Sequence, residues 1–288
     1  MDELIKAIDR DREVRLVIAR TTVLTGELSL RHHMSATACA ASGRLATGAL
    51  LLASDLKTGN GVTIQVNGGG PVGNIVAVAE PEGTARLYVE NPNADLPSKR
   101  PGKLDVGGLV GTNGFLSVIK DMGLKQPFTG SVPLQTGEIG DDIAYYLFAS
   151  EQVASLVALG VLVNTDLSVL ASGGLLIQAL PGVSDDKLAM IEEKIGSLEP
   201  LSNLVYSHSN LDEILNLVMG AGNFEVLERI SVSFSCRCSR EKLISIIKAL
   251  PEEDIDASLK EMGQIEARCN FCNETYTFNE EEVSALRQ

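Results

Sequence analysis

Cys236-Arg237-Cys238, thirty further residues, then Cys269-Asn270-Phe271-Cys272: this stretch holds four of the chain's five cysteines in two close pairs. Two such pairs suit four thiolates around one soft metal ion, and zinc is the ion most at home in a tetrahedral set of sulfurs. No histidine lies in 232–288, and His208 is well upstream, so the four cysteines exhaust the soft ligands there. Three other readings compete on the residues alone. They are isolated buried thiols, a CxxC of the thiol–disulfide enzyme kind, and a structural zinc that never leaves.

Around the cysteines the pattern is that of a small module. Ser231-Val232-Ser233-Phe234 reads as a short strand entering the first pair. Ser239 can cap a helix over Arg240 to Leu250, and Pro251 starts another that ends near Gly263. Gln264 to Arg268 leads into the second pair, Thr275-Tyr276-Thr277-Phe278 leaves it as a strand, and Asn279 with Glu282 forms a capping box for a last helix. Residues 232–288 have little room for a core, and domains so small need a staple. Structural zinc contributes roughly 10–16 kcal/mol in peptide systems, against about 5–15 kcal/mol for the whole stability of a domain. Loss of the metal should therefore unfold the module. Oxidation of the thiolates would cause that loss, which makes the site a latent oxidant sensor.

Upstream, residues 181–231 carry nine acidic and three basic residues, which makes their helices charged, short and amphipathic. Ser184 can cap a helix from Asp185 to Leu198, with Leu188, Ile191, Ile195 and Leu198 in one stripe. Pro200 breaks it. Asn210-Leu211-Asp212-Glu213 opens a second helix that stops at Gly220. Helices this short depend on docking against a neighbour. The stretch is either a well-folded connector or a metastable helical linker that docks or melts with its surroundings.

The first 180 residues read as a strand-rich α+β domain of mixed sheets and helices. Val14 to Thr22 is β-branched and apolar, and a helix spans about Ser35 to Leu56. Val62 to Val66 alternates with period two, and Asn74 to Ala79 and Thr84 to Val89 continue as strands. Leu116 to Ile119 and Gly130 to Leu134 are strand-like, Asp141 to Ala154 is helical, and Gly160 to Val163 and Leu175 to Ala179 complete the domain. Gly68, Gly70 and Gly73 satisfy GxGxxG, but Pro71 interrupts the loop and a strand follows where a phosphate-binding helix would have to begin. A hairpin turn accounts for it better. His32 and His33 suit surface or capping roles, Cys39 a small apolar filler, and Asp141-Asp142 a helix N-terminal charge pair as readily as a catalytic one. No catalytic constellation emerges, and the chain is expected not to be an enzyme.

A net charge of −14 argues against nucleic acid, which is bound by neutralising phosphates. The segment Ala36 to Ala53, rich in small residues and interrupted by Arg44, reads as a buried helix rather than a membrane span. The start, Met1-Asp2-Glu3-Leu4-Ile5-Lys6, lacks the layout of a secretory signal, so the cytoplasm is the expected compartment and no membrane partner is expected.

Taken together, the chain resembles the redox-regulated thirty-three-kilodalton heat-shock chaperonin family. The resemblance spans the whole length. It rests on the CxC and CxxC pairs, GGGP at Gly68 to Pro71, GTNG at Gly111 to Gly114, YYLFASEQ at Tyr145 to Gln152 and GGLLIQALPG at Gly173 to Gly182. It implies an ATP-independent holdase organised as a chaperone core (1–180), a metastable helical linker (181–231) and a zinc-binding redox-switch domain (232–288). It further implies one zinc per chain on Cys236, Cys238, Cys269 and Cys272 in the reduced, inactive form. Oxidation would join Cys236 to Cys238 and Cys269 to Cys272, release the metal and loosen the linker. Unfolding client proteins would be the partners, and the activated form a homodimer. Pairing within CxC closes a very tight ring, so that bond should form more slowly than the CxxC bond. The rival readings are a constitutive zinc-ribbon interaction protein and a CxxC thiol–disulfide oxidoreductase. The eleven acidic against seven basic residues of the module weaken the nucleic-acid version of the first.

Overall fold

The computed structural model describes residues 1–100 and 102–286, which form two compact units, Met1–Ser235 and a second that begins at Cys236. In the first unit the order is β1 (Glu3–Asp9), β2 (Val14–Arg20), α1 (Thr22–His32), α2 (Ala36–Ala53), β3 (Gly61–Asn67), β4 (Ile75–Ala79) and β5 (Thr84–Val89). Then come α3 (Val106–Val110), β6 (Phe115–Asp121), β7 (Phe128–Pro133), α4 (Gly140–Glu151), β8 (Ser155–Val163) and β9 (Val169–Ala179). The unit closes with α5 (Asp185–Gly196), α6 (Leu201–Ser207), α7 (Leu211–Met219), β10 (Phe224–Ser231) and β11 (Ser233–Phe234). The class is α+β, as the residue patterns predict.

Two sheets organise this unit. One has five strands in the order β10-β1-β2-β9-β8, and the other six in the order β11-β5-β4-β3-β6-β7. Strand β2, Val-Arg-Leu-Val-Ile-Ala-Arg, is apolar on both faces, and both faces are covered. Val17 and Ala19 join a core with α1, α2 and the six-stranded sheet. Leu16 and Ile18, on the opposite face with Ile5, Leu175 and Ile177, pack on Ile191 of α5, Leu204 and Val205 of α6, and Leu211, Ile214, Leu215 and Val218 of α7. Helix α2 is a core helix: it is long and apolar enough to cross a membrane by length and composition, but 89% of it is buried inside the structure. Ser35 caps it by accepting the Ala38 amide at 3.1 Å.

The glycine loop is a hairpin. Val66 of β3 pairs with Ile75 of β4 across it. Its backbone interlocks with the loop after α3: the Gly70 amide donates to Val110 at 3.0 Å and the Asn113 amide to Gly68 at 2.9 Å. A Cβ at Gly68 or Gly70 would collide with the carbonyl oxygens of Gly111 or Leu109, which is why glycine stands at both. Phosphate chemistry plays no part in that explanation.

Three details depart from the sequence pattern. Helix α1 occupies Thr22–His32, where no helix is marked by periodicity, and its Leu24 amide donates to the Asp2 carboxylate at 2.8 Å. His32 is buried rather than on the surface, and His33 is the C-cap, left-handed at φ 53. After the helices of 185–219 the chain returns as β10 against β1, a strand that the helical reading of 181–231 did not separate.

Helix α5 makes the thinnest contact: Ile191 is its one buried residue, and Met190 is 60% exposed. It is tied down by charge instead. Lys187 donates to Asp9, to Asp11 at 2.9 Å and to Glu13 at 2.8 Å, so an acidic trio that could otherwise hold a cation is already filled by an ammonium. Burial pushes the Asp9 carboxyl up, but Lys187 and the Val14 and Glu13 amides outweigh it and hold it below the usual carboxylate range. Burial opposes the Lys187 charge as well, and its three carboxylate partners hold it above the usual range.

Asp9's contribution is therefore complete above its unfolded value of about 3.9 and is lost as pH falls through its lower folded value. That of Lys187 is complete below about 10.4 and lost as pH rises through its raised folded value. Lys187→Met should cost about 1.5–3 kcal/mol and speed amide exchange in α5 ahead of the sheets. The stability gap to wild type should narrow as pH falls below about 4. Denaturant titrations at pH 7 and pH 3 check both statements, and an equal gap at the two pH values would refute the clasp.

Candidate metal centre

The second unit is small. It comprises α8 (Arg240–Ile247), α9 (Glu252–Met262), β12 (Gln264–Arg268), β13 (Thr275–Asn279) and α10 (Glu280–Leu286). Its buried core is Ile247, Ile255, Ile265, Phe278 and Val283, with Leu243, Ile244, Leu259, Ala267 and Tyr276 packed half-buried against them. Each helix start has a local reason. Ser239 accepts the Lys242 amide at 3.3 Å, and Pro251 precedes α9. Asn279 and Glu282 make a reciprocal capping box, with bonds of 3.0 and 2.9 Å. Arg240 lies 4.2 Å above the Phe278 ring and bonds Glu282 at 2.6 Å, which ties α8 to α10.

The two cysteine pairs are presented differently. Cys269 and Cys272 sit in the loop of the β12–β13 hairpin. The Cys269 amide donates to Glu274 at 2.9 Å and the Asn273 amide to Cys269 at 2.8 Å, with Asn273 left-handed at φ 63. Cys236 and Cys238 lie on the extended segment that ends at the Ser239 cap of α8. The hairpin loop and this segment bring all four sulfurs within 4.8 Å of one another. Cys236 Sγ is 3.7 Å from Cys269 Sγ, and Cys238 Sγ is 3.3 Å from Cys272 Sγ. None of the four is in a disulfide; Cys272 is buried and the others are half-buried. Cys39 is elsewhere, buried in the first unit's core, where burial pushes its thiol up.

A tetrahedral zinc with sulfurs at about 2.3 Å places those sulfurs about 3.8 Å apart. The observed separations are close to that spacing, so the donor set fits one metal ion. Burial pushes the Cys236 and Cys272 thiols up. It also acts on Cys238, but there hydrogen bonds from Tyr276 and Cys272 outweigh it and leave that thiol below its usual range. Four thiolates this close would repel strongly, and a dication at their centre would let them coexist.

Tyr276, which the cysteine pattern does not flag, reaches into this set: its hydroxyl is 3.3 Å from Cys238 Sγ. That contact, with the charge at Cys238 and Cys272, pushes the phenol up to about 12. The signal available in sequence is period two on β13, which puts Tyr276 on the same face as buried Phe278.

The other candidates resolve into structure. Asp142 is fully buried and accepts the amides of Gln135 at 2.7 Å, Thr136 at 3.1 Å and Ile139 at 3.0 Å. Asp141 accepts the Thr136 hydroxyl at 3.0 Å. Both shape the turn into α4.

Fold and site together define a two-unit α+β protein whose small C-terminal unit is built around a four-thiol centre able to hold a metal ion. Residues 2–279 match the family model described as Hsp33 protein. The chain is 45% identical over 288 residues to the "33 kDa chaperonin" of Bacillus pumilus, covering 100% of this chain and 99% of the relative. It is 46% identical over 287 residues to the protein of that name from Bacillus subtilis, covering 100% and 98%. A crystal structure of the 33 kDa chaperonin (heat shock protein 33 homolog) of Thermotoga maritima superposes with a TM-score of 0.91 at 34% identity, covering 99% of this chain and 97% of that one. The chain belongs to the Hsp33 family. That membership supports a heat-shock chaperone function.

Because Phe278 is fully buried in the second unit's small core, Phe278→Ala should cost that unit about 3–5 kcal/mol. Hydrogen exchange should show residues 240–286 losing protection while β2 and β9 keep theirs. Retained protection throughout would mean that the core is not what holds the hairpin.

Proposed function

We propose that the protein is an ATP-independent holdase activated by oxidation, with Cys236, Cys238, Cys269 and Cys272 as its switch. The observation that carries the reading is the convergence of these four thiols on one point of a unit with so small a core. In the reduced form the four sulfurs hold one zinc ion per chain. When bound, the ion supplies a cross-link worth roughly 10–16 kcal/mol, on the scale of structural zinc sites.

Peroxide removes two electrons from each cysteine pair and leaves as two waters. Cys236 joins Cys238, and Cys269 joins Cys272. A disulfide sulfur is a poor metal ligand, so the cross-link is lost, and a unit with so small an apolar core unfolds. Residues 181–231 loosen in the same step. The apolar face that α5, α6 and α7 cover, including Ile5, Leu16, Ile18, Leu175 and Ile177, then becomes available to unfolding clients. Two activated chains associate as a homodimer. A reducing cytoplasm is the setting in which such thiols rest unpaired until stress. The protein is not expected to act as an enzyme or to bind nucleic acid.

The deciding experiment treats zinc-loaded protein with peroxide at raised temperature. Zinc release is followed with a chromophoric chelator, and suppression of a thermally aggregating client by light scattering. Release and suppression should rise together. Zinc loss without suppression would overturn the switch. Full suppression by the reduced, zinc-loaded protein would favour a constitutive interaction module, and turnover with a dithiol reductant a thiol–disulfide enzyme.

Thiol mapping during the same treatment should find the Cys269–Cys272 bond before the Cys236–Cys238 bond, since the shorter ring is the harder to close. The opposite order would count against that argument.

A further inference from the structure

Among the described residues, the Tyr276 phenol is a polar side chain in direct contact with one of the four sulfurs whose role is unaccounted for. It lies 3.3 Å from Cys238 Sγ. Its backbone is fixed: Tyr276 pairs with Ala267 across the β12–β13 hairpin, and Phe278, two residues on along the same face, is buried in the unit's core. That hairpin carries Cys269 and Cys272 in its loop, whereas Cys238 belongs to the segment that leads into α8. The phenol is therefore anchored to the CxxC pair and reaches across to the CxC pair.

The direction of the hydrogen bond follows from chemistry. A sulfur that ligates a metal is a thiolate, which has lone pairs and no proton, so the phenolic O–H donates and Cys238 accepts. Attack on peroxide uses a sulfur lone pair. A donor engaged with the sulfur withdraws electron density from it and makes Cys238 a poorer nucleophile. It also occupies one of the two lone pairs that a metal-bound thiolate keeps.

We propose that Tyr276 is a positioning residue that restrains Cys238 and so widens, beyond the effect of ring size, the lag by which the CxC pair follows the CxxC pair. The proposal rests on the oxidation switch described above. In the restrained step a sulfur lone pair displaces hydroxide from peroxide to give a sulfenic acid, and the hydroxide takes a proton to become water. The partner cysteine's thiolate then displaces the sulfenic hydroxyl as a second water and forms the S–S bond. Two electrons leave the pair for each peroxide consumed. Tyr276 neither gains nor loses electrons; it donates a hydrogen bond to Cys238 before the first of these steps.

The test uses full-length, zinc-loaded wild type and Tyr276→Phe, which keeps the ring on the hairpin and removes the hydroxyl. Zinc stoichiometry and circular dichroism establish that both are folded and loaded. Each protein is exposed to iodoacetamide, and separately to peroxide, and every cysteine is quantified over time by mass spectrometry. In Tyr276→Phe, Cys238 should react roughly three- to ten-fold faster, the rate equivalent of about one net hydrogen bond, with Cys269 and Cys272 unchanged. The lag between the two disulfides should shrink accordingly.

An unchanged Cys238 rate in fully loaded protein would overturn the role of Tyr276. Uniform acceleration of all four cysteines would overturn it too, since that pattern belongs to a loosened hairpin. A wild type that binds no zinc, or forms no disulfide with peroxide, would fail at the switch itself, which these controls read independently of the tyrosine comparison.

Discussion

A β-sheet that is apolar on both faces cannot be left half covered, and that constraint organises the first unit. The five-stranded sheet presents Val17 and Ala19 to one side and Leu16 and Ile18 to the other along a single strand. Alternation within β2 cannot make either side polar, so two separate covers are required. Helix α2 supplies one, with the six-stranded sheet closing the same core behind it. Helices α5, α6 and α7 supply the other.

The two covers are not held equally. Helix α2 is a continuous eighteen-residue element with small residues that let it approach both sheets closely. The outer cover is three short pieces. Helix α7 buries four apolar side chains, whereas α5 buries Ile191 alone and depends on Lys187 reaching Asp9, Asp11 and Glu13. Ion-pair attachment is weaker per contact than apolar burial and responds to pH and salt, which apolar packing does not. A cover attached in this way can be lifted at less cost than α2 could be withdrawn.

The parts of this design legible in the sequence are those with local causes. Ser35 before a run of small residues marks α2, period-two alternation marks β3, β4 and β5, and the Asn279–Glu282 box marks α10. Pro71 and the strand after it correctly separate the glycine turn from a phosphate loop, although the interlock with Gly111 cannot be seen without the fold. What was not legible depends on distant partners. Helix α1 has threonines and a glycine in its first turns and takes a hydrogen bond from its Leu24 amide to Asp2, twenty-two residues earlier. Strand β10, Phe-Glu-Val-Leu-Glu-Arg-Ile-Ser, is as charged as the helices before it and becomes a strand because β1 offers an edge. Tyr276 belongs with these: four residues beyond Cys272 it looks like an ordinary strand aromatic, and only the folded hairpin aims its hydroxyl at Cys238.

The second unit carries the same logic further. Among the described residues its apolar core is five buried side chains with five partly buried ones packed against them, so a metal bound by the sulfur cluster would add much to what holds the hairpin and the CxC segment together. A core of that size also makes the unit's folding nearly all-or-none with respect to the cluster, because few contacts remain once the thiols are otherwise engaged. Placing the four thiols outside the large core keeps their chemistry away from α2 and the six-stranded sheet, which on the proposed function would stay folded while the second unit responds. On the proposed function a donor such as Tyr276 fits the same arrangement: were the cluster to carry much of the unit's stability, the reactivity of each sulfur would set how readily that unit opens, and a hydroxyl 3.3 Å from Cys238 would add to the difference between the two pairs.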